Sequence, residues 1–217
     1  MAEAHEALRA KVSPATVPSA GSAAAKRAVD LAGSVILLLL ASPVLLIVSL
    51  LVKRSSPGPA FFRQVRLGRN GEPFLLLKFR TMCVDAEARL ERDRDLLARY
   101  AAGGHKIPDG EDPRIIPPGR FLRRTGIDEL PQLVNVLRGE MSLVGPRPIL
   151  PLELPRYPSF IELMRGIRPG MTGAWQVSRE HPADYDRRAE IDREYVTKRS
   201  MVTDALVLLH TLVRALR

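Results

Sequence analysis

From Val29 to Val52 the chain reads VDLAGSVILLLLASPVLLIVSLLV, 24 residues with one charge, Asp30. As a helix rising about 1.5 Å per residue it would reach ~36 Å, enough to cross a hydrocarbon core of ~30 Å. Pro43 interrupts it: proline has no N–H to bond the Leu39 carbonyl and its ring crowds that carbonyl, so a bend is expected. The Ser42 hydroxyl is placed to take up a carbonyl freed there. Lys26 and Arg27 precede the run and Lys53 and Arg54 follow it. Basic flanks favour the cytoplasmic side, and here both ends ask for it. A helix that enters the membrane, turns at Ser42-Pro43 and leaves by the same face meets both demands. Its halves reach only ~21 Å and ~15 Å, so neither spans alone. A proline-kinked transmembrane helix is the alternative. A cleaved signal peptide fits less well, because the run starts late and exceeds the usual apolar core of roughly 7–15 residues.

The 217 residues leave room for one compact domain beside this helix, giving a tail over 1–25, a membrane element over 26–54 and a folded domain over 55–217. The formal charge of +9 and pI of about 10.3 suit an anionic partner: lipid head groups, nucleic acid or a phosphorylated substrate. Aromatic residues are only 5% and do not interleave with the basic ones, which argues against single-stranded nucleic acid. Cys83 is alone, so no intrachain disulfide can form. His5, His105, His181 and His210 lack metal-site spacing.

Along the folded domain, Phe61–Leu67 and Phe74–Arg80 read as paired strands around an Asn70-Gly71 turn. The period of two puts Lys78 and Arg80 on one face. Val84 to Tyr100 reads as one charge-laced helix ended by Gly103-Gly104, and Asp109 to Pro118 as a loop. Ser159 to Glu162 looks like a capping box opening a helix that stops at Gly166. Trp175–Val177 reads as extended, Asp184–Arg199 as helical, and Asp204–Arg217 as an apolar helix at the membrane interface.

Chemistry concentrates between Arg120 and Pro148. Pro131 is tolerated only in the first turn of a helix, which predicts a helix from Asp128 to Gly139 with Asp128 as N-cap, Glu129 at N1 and Gly139 as C-cap. An Asp-Glu pair at such a place commonly does no more than cap and complement the dipole, worth ~1–2 kcal/mol. Here Arg120, Arg123 and Arg124 come just before it, and Arg147 sits in a rigid Gly-Pro-Arg-Pro segment. Guanidinium groups fork onto phosphates. Adjacent carboxylates can hold Mg²⁺ with substrate phosphates completing the shell, and a carboxylate can attack phosphorus to give an acyl phosphate. Nearby cations should keep Asp128 ionised. The residues point to phosphoryl-type transfer beside a membrane.

With these motifs the chain resembles the monotopic phosphoglycosyl transferases of the bacterial sugar transferase family, in a short form with a single catalytic domain. The resemblance runs from Lys26 to the C-terminus. It is carried by Lys26-Arg27-x-x-Asp30, Ser42-Pro43, Gly58-Pro59-x-x-Phe62, Lys78 to Met82, Asp128 to Leu133, Met141 to Pro148, Arg168 to Gly173 and Asp192-x-x-Tyr195. It implies an α+β, mostly helical fold: a re-entrant N-terminal helix, a small β-hairpin and interfacial amphipathic helices around a catalytic core. That core would face the cytoplasm from the bacterial inner membrane. It implies transfer of a sugar 1-phosphate from a nucleoside diphosphate sugar, usually a UDP-sugar, to a polyprenyl phosphate such as undecaprenyl phosphate, with Mg²⁺ as cofactor. This would be a first membrane step of exopolysaccharide or glycoconjugate assembly. By motif, Asp128 is the nucleophile and Glu129 its partner at Mg²⁺. Lys78, Arg80, Arg123 and Arg147 serve the phosphates, and Asp192 is a further acid near the site. The sequence departs from the family pattern at Pro117-Pro118 and at Ser178-Arg179-Glu180, where a glycine turn is usual, which bears on the donor-sugar contacts.

The competing reading is a basic membrane adaptor without catalysis; it accounts for the charge and the apolar run but not for acids at a turn among arginines. A nucleic-acid binder lacks any reading motif. The sugar, the glycan pathway and the oligomeric state, monomer or homodimer, are open at this level.

Overall fold

The computed structural model describes residues 20–103, 107–178 and 184–215. The fold is α+β and mostly helical. In chain order its elements are α1 (Ala20–Ser55), β1 (Phe61–Leu67), β2 (Pro73–Phe79), α2 (Ala86–Arg92), α3 (Arg94–Ala102), α4 (Gly119–Thr125), α5 (Gln132–Arg138), β3 (Ser142–Val144), α6 (Phe160–Leu163), β4 (Gly170–Thr172), α7 (Ala174–Val177), α8 (Tyr185–Lys198) and α9 (Met201–Ala215), with short 3₁₀ turns between some of them. Contacts divide the chain into two compact units. One comprises Ile36–Gln64 and Leu76–Val134; the other comprises the described residues within Met1–Val35, together with Val65–Leu75 and Asn135–Arg217.

Helix α1 is 36 residues long and apolar enough to cross a membrane. It begins at Ala20, so residues 20–25, expected in the tail, are its first turns; the remainder of that tail lies outside the described residues. Helical structure runs through Pro43 without interruption. Ser42 Oγ donates to Leu39 O at 2.8 Å, and this is the carbonyl that Pro43 leaves without an amide partner. Along the middle of the helix large apolar side chains face outward, Leu40 being 73% exposed.

In the Ile36–Gln64 and Leu76–Val134 unit, Val48 and Val52 of α1 are buried with Ala60, Phe79, Ile116 and Leu122, and Leu45, Cys83 and Ile127 pack against them. Phe61 stacks on Phe79 at 5.2 Å between ring centroids. Within the loop 109–118, Arg114 forks onto Asp112 at 2.9 and 2.7 Å, both side chains being buried. The single helix expected over 84–100 is two. Asp93 leaves the helical region with ψ 102 and its carboxylate accepts from the amides of Asp95 and Leu96, so it starts α3 where the charge pattern ran on unbroken.

In the other unit, β3 and β4 pair in parallel, Ser142 opposite Gly170 and Val144 opposite Thr172. A Cβ on Gly170 would meet the backbone of Gly145, so only glycine lets these chains approach. Neither strand was expected, since three-residue strands joined by a long crossover leave little periodicity to read. Gly139 ends α5 at φ +84, as predicted. Ser159 makes no capping bond, and α6 is a single turn. Residues 174–177 are helical rather than extended, and the Arg188 guanidinium lies 4.4 Å over the Trp175 ring. Lys26 Nζ donates to Asp204 at 2.6 Å, while Asp30 accepts from Ser142 Oγ at 3.0 Å and Leu143 N at 3.1 Å. The Lys-Arg-x-x-Asp segment thus ties the head of α1 to β3 and α9.

Candidate active site

Asp128 and Glu129 occupy one 3₁₀ turn, Ile127–Glu129. Gly126 at φ +70 closes α4 just before it, and Pro131, unable to donate, delays α5 until Gln132. The expected helix from Asp128 is therefore corrected: one isolated turn fits between the left-handed glycine and the proline. Asp128 lies inside this turn and not at the N-cap of α5, and the backbone amide that its carboxylate engages is its own.

The Asp128 residue is only 8% exposed. Burial pushes its carboxyl up to about 6, against the pull of Lys78 and Arg123 and with a push from Glu129. The direction is opposite to the sequence expectation, because loss of water outweighs the cations. At neutral pH the group is still mostly ionised, and a carboxylate stripped of water is a stronger nucleophile than a solvated one. Lys78, the penultimate residue of β2, donates from Nζ to Glu129 Oε1 at 2.6 Å.

Arg123, from α4, is held by two acceptors that the sequence did not single out for it. Its Nε donates to Thr81 Oγ1 and its Nη1 to Asp109 Oδ1, both at 2.9 Å. Thr81 lies within the Lys78–Met82 motif, so a signal existed; Asp109 carried none. Arg80 is placed differently from Lys78. Strand β2 ends at Phe79, and the Arg80 side chain, in a residue 4% exposed, turns to the C-terminal end of α1. It donates to Pro59 O at 2.7 Å, Ser56 O at 3.0 Å and Val52 O at 3.4 Å, and also to Ser56 Oγ. Its guanidinium collects carbonyls at that helix end, where cations are favoured.

Lys78, Arg80, Arg123, Asp128 and Glu129 thus belong to one unit, and Arg147 and Asp192 to the other. Arg147 is half-buried in its Gly-Pro-Arg-Pro segment after β3. Asp192, on α8, is 1% exposed. Burial raises its carboxyl to about 7, opposed by the Trp175 backbone, the Tyr157 hydroxyl and Arg188. Its Oδ1 and the Tyr157 Oη are buried without a hydrogen bond of normal geometry.

The sequence model of the bacterial sugar transferase family matches residues 21–217. The chain belongs to this family. It is 41% identical over 194 residues to the undecaprenyl-phosphate galactose phosphotransferase of Salmonella typhimurium, covering 88% of this chain and 40% of that protein. It is 38% identical over 197 residues to the UDP-glucose:undecaprenyl-phosphate glucose-1-phosphate transferase of Escherichia coli, covering 87% and 39%. It is 38% identical over 216 residues to the exopolysaccharide production protein ExoY of Rhizobium meliloti, covering 95% and 94%. The chain therefore spans about two fifths of the first two relatives and nearly all of the third.

Among the described residues no cluster of three or more His, Cys, Asp or Glu is arranged to hold a metal. The adjacent Asp128 and Glu129 carboxylates nonetheless suit Mg²⁺, which is commonly held by one or two carboxylates with waters and substrate phosphates completing its shell.

Proposed function

We propose that this transferase moves a sugar 1-phosphate from a nucleoside diphosphate sugar, a UDP-sugar by analogy with the names of its relatives, to a polyprenyl phosphate. The observation that carries the reading is the buried Asp128 carboxylate, uncommitted to helix capping and flanked by the Lys78–Glu129 pair, in a chain of this family.

The chemistry divides into two displacements. An Asp128 oxygen attacks the phosphorus that bears the sugar; a new O–P bond forms and the bridging P–O bond breaks, its electrons leaving with the nucleoside monophosphate. A polyprenyl phosphate oxygen then attacks the same phosphorus, and the Asp128 carboxylate departs, giving polyprenyl diphosphate sugar. Lys78 and Arg123 offset charge building on the phosphoryl oxygens. Arg147 is assigned to phosphate binding and Asp192 to a supporting acid by motif. Mg²⁺, held by Asp128 and Glu129, would supply Lewis-acid polarisation of the phosphoryl oxygens and orientation of the diphosphate. Arg80 is the exception to the motif assignment: its bonds to the end of α1 support a structural role.

The basic residues at both ends of the apolar run, together with Pro43 and the Ser42–Leu39 bond, support a re-entrant α1 with the catalytic domain on the cytoplasmic face. The exposed apolar residues of α9 support an interfacial position for that helix. Such a site would serve a soluble donor and a lipid acceptor in turn.

The test is a donor screen with undecaprenyl phosphate and Mg²⁺, reading released nucleotide for UDP-glucose, UDP-galactose and the N-acetylated hexoses. Incubation with donor alone should leave a phosphosugar adduct on Asp128 by mass spectrometry. Sustained product formation with no adduct on that residue would remove the covalent step, and absence of any nucleotide release would favour the adaptor.

A further inference from the structure

The unit containing the head of α1 forms a partly open cavity of about 80 Å³, room for a group the size of a phosphate. Its walls carry four cations, Lys26, Arg27, Arg168 and Arg199, against two acids, Asp30 and Asp204. Both acids are satisfied. Asp204 accepts from Lys26 and, at 2.6 Å, from the Tyr195 hydroxyl, while Asp30 is bonded to Ser142 and Leu143. The arginines are not all satisfied. Arg27 donates to Val136 O and Leu137 O at 2.7 and 3.1 Å, and Arg168 donates from Nε alone, to Gly139 O at 2.8 Å. Arg199 is half-buried, and its guanidinium makes no hydrogen bond to another described residue. A desolvated guanidinium with idle donors is costly unless an anion meets it.

The surroundings say where such an anion comes from. The same α1 and α9 that line the cavity leave large apolar side chains exposed: Val29, Leu31 and Val35 on the first, Val202, Leu206, Leu209 and Leu212 on the second. A cationic recess bordered by exposed apolar helices matches a phosphate carrying acyl chains. We propose that this cavity binds the head-group phosphate of an anionic membrane phospholipid, with Arg199 and Arg168 as its forked donors and the acyl chains along α1 and α9. The reading does not depend on the catalytic assignment.

The test uses the full chain purified in neutral detergent, exposed to phosphatidylglycerol or phosphatidylcholine and examined by native mass spectrometry. The expected result is preferential retention of phosphatidylglycerol, weakened about fivefold in Arg199→Gln, the weight of one surface cation, and restored only in part in Arg199→Lys, which keeps the charge but not the fork. Equal retention by wild type and Arg199→Gln overturns the proposal. Displacement of the lipid by inorganic phosphate or glycerol phosphate at matched concentration also overturns it, because the site would then take a soluble anion. Should Arg199→Gln lose its thermal transition, Ser22→Glu, which puts a negative charge on the cavity wall, replaces it. A similar loss of lipid is expected there, and undiminished retention refutes the site.

Discussion

Lys78 Nζ and Glu129 Oε1 lie 2.6 Å apart, joining the end of the β-hairpin to the turn that carries the candidate nucleophile, 51 residues further along the chain. Both side chains are largely shielded from water, so the pair is stronger than an exposed one and its loss leaves a poorly solvated carboxylate. Lys78→Met should lower kcat/KM for nucleotide release by about 10²-fold or more. Lys78 also holds the Asp128 carboxyl down, so the acid limb of the variant's pH–rate profile should move to higher pH. An unchanged acid limb would show that Lys78 does not act on Asp128.

Asp128→Asn should abolish turnover, by at least about 10³-fold, while the protein still partitions to membranes through α1. Its test is nucleotide release measured beside flotation with liposomes. Near-normal turnover would refute the nucleophile.

The pH dependence follows from burial of the same carboxyl. With its folded value raised to about 6, kcat/KM should fall as pH drops through about 6, because the protonated acid cannot attack phosphorus. The stability effect has the opposite sense. Between the ordinary aspartate value of 3.8 and about 6 the folded state holds the proton more tightly than the unfolded state, so stability is lost as pH rises through that window. Asp128→Asn removes this loss, and should raise Tm at neutral pH by the equivalent of up to about 3 kcal/mol. Thermal unfolding at pH 4 and pH 7.5 reads it, and the gain should shrink at the lower pH.

Arg80 offers a clean separation of structure from binding. Arg80→Lys keeps the charge but cannot reach the Val52, Ser56 and Pro59 carbonyls together. It should lower stability by about 2–4 kcal/mol, seen as a reduced Tm in detergent, with little change in donor KM for the folded fraction. An unchanged Tm with a raised KM would return Arg80 to phosphate binding.

Topology is tested by cysteine labelling in a Cys83→Ser background. Ser13→Cys and Pro57→Cys should both react with a membrane-impermeant maleimide from the cytoplasmic side. Adding Pro43→Ala restores the amide to Leu39 O and should shift a fraction of the protein toward labelling from opposite sides.

Short-range features were legible because they depend on near neighbours. The hairpin follows from alternating apolar residues around Asn70-Gly71, and Asn70 does adopt φ 59. Strand β1 spans Phe61–Leu67 as read, α8 lies within its expected limits, and Gly139 takes the left-handed cap. The Asp-Glu pair was visible as a candidate, but its helix was not what formed. Pro131 and Gly126 each permit several local geometries, and Asp93 splits α2 from α3 through a capping bond that a charge pattern does not display.

Sequence alone determined a chain with one long apolar helix, basic at both ends, followed by an α+β domain carrying adjacent acids among arginines, because periodicity and charge are local properties. Only the tertiary structure decided which of those arginines meets the α1 carbonyls, that Asp128 is buried enough to titrate near 6, and that Arg199 faces a cavity without a hydrogen-bond partner among the described residues. Each of these is set by desolvation and by acceptors brought in from distant parts of the chain, and no sequence window contains them.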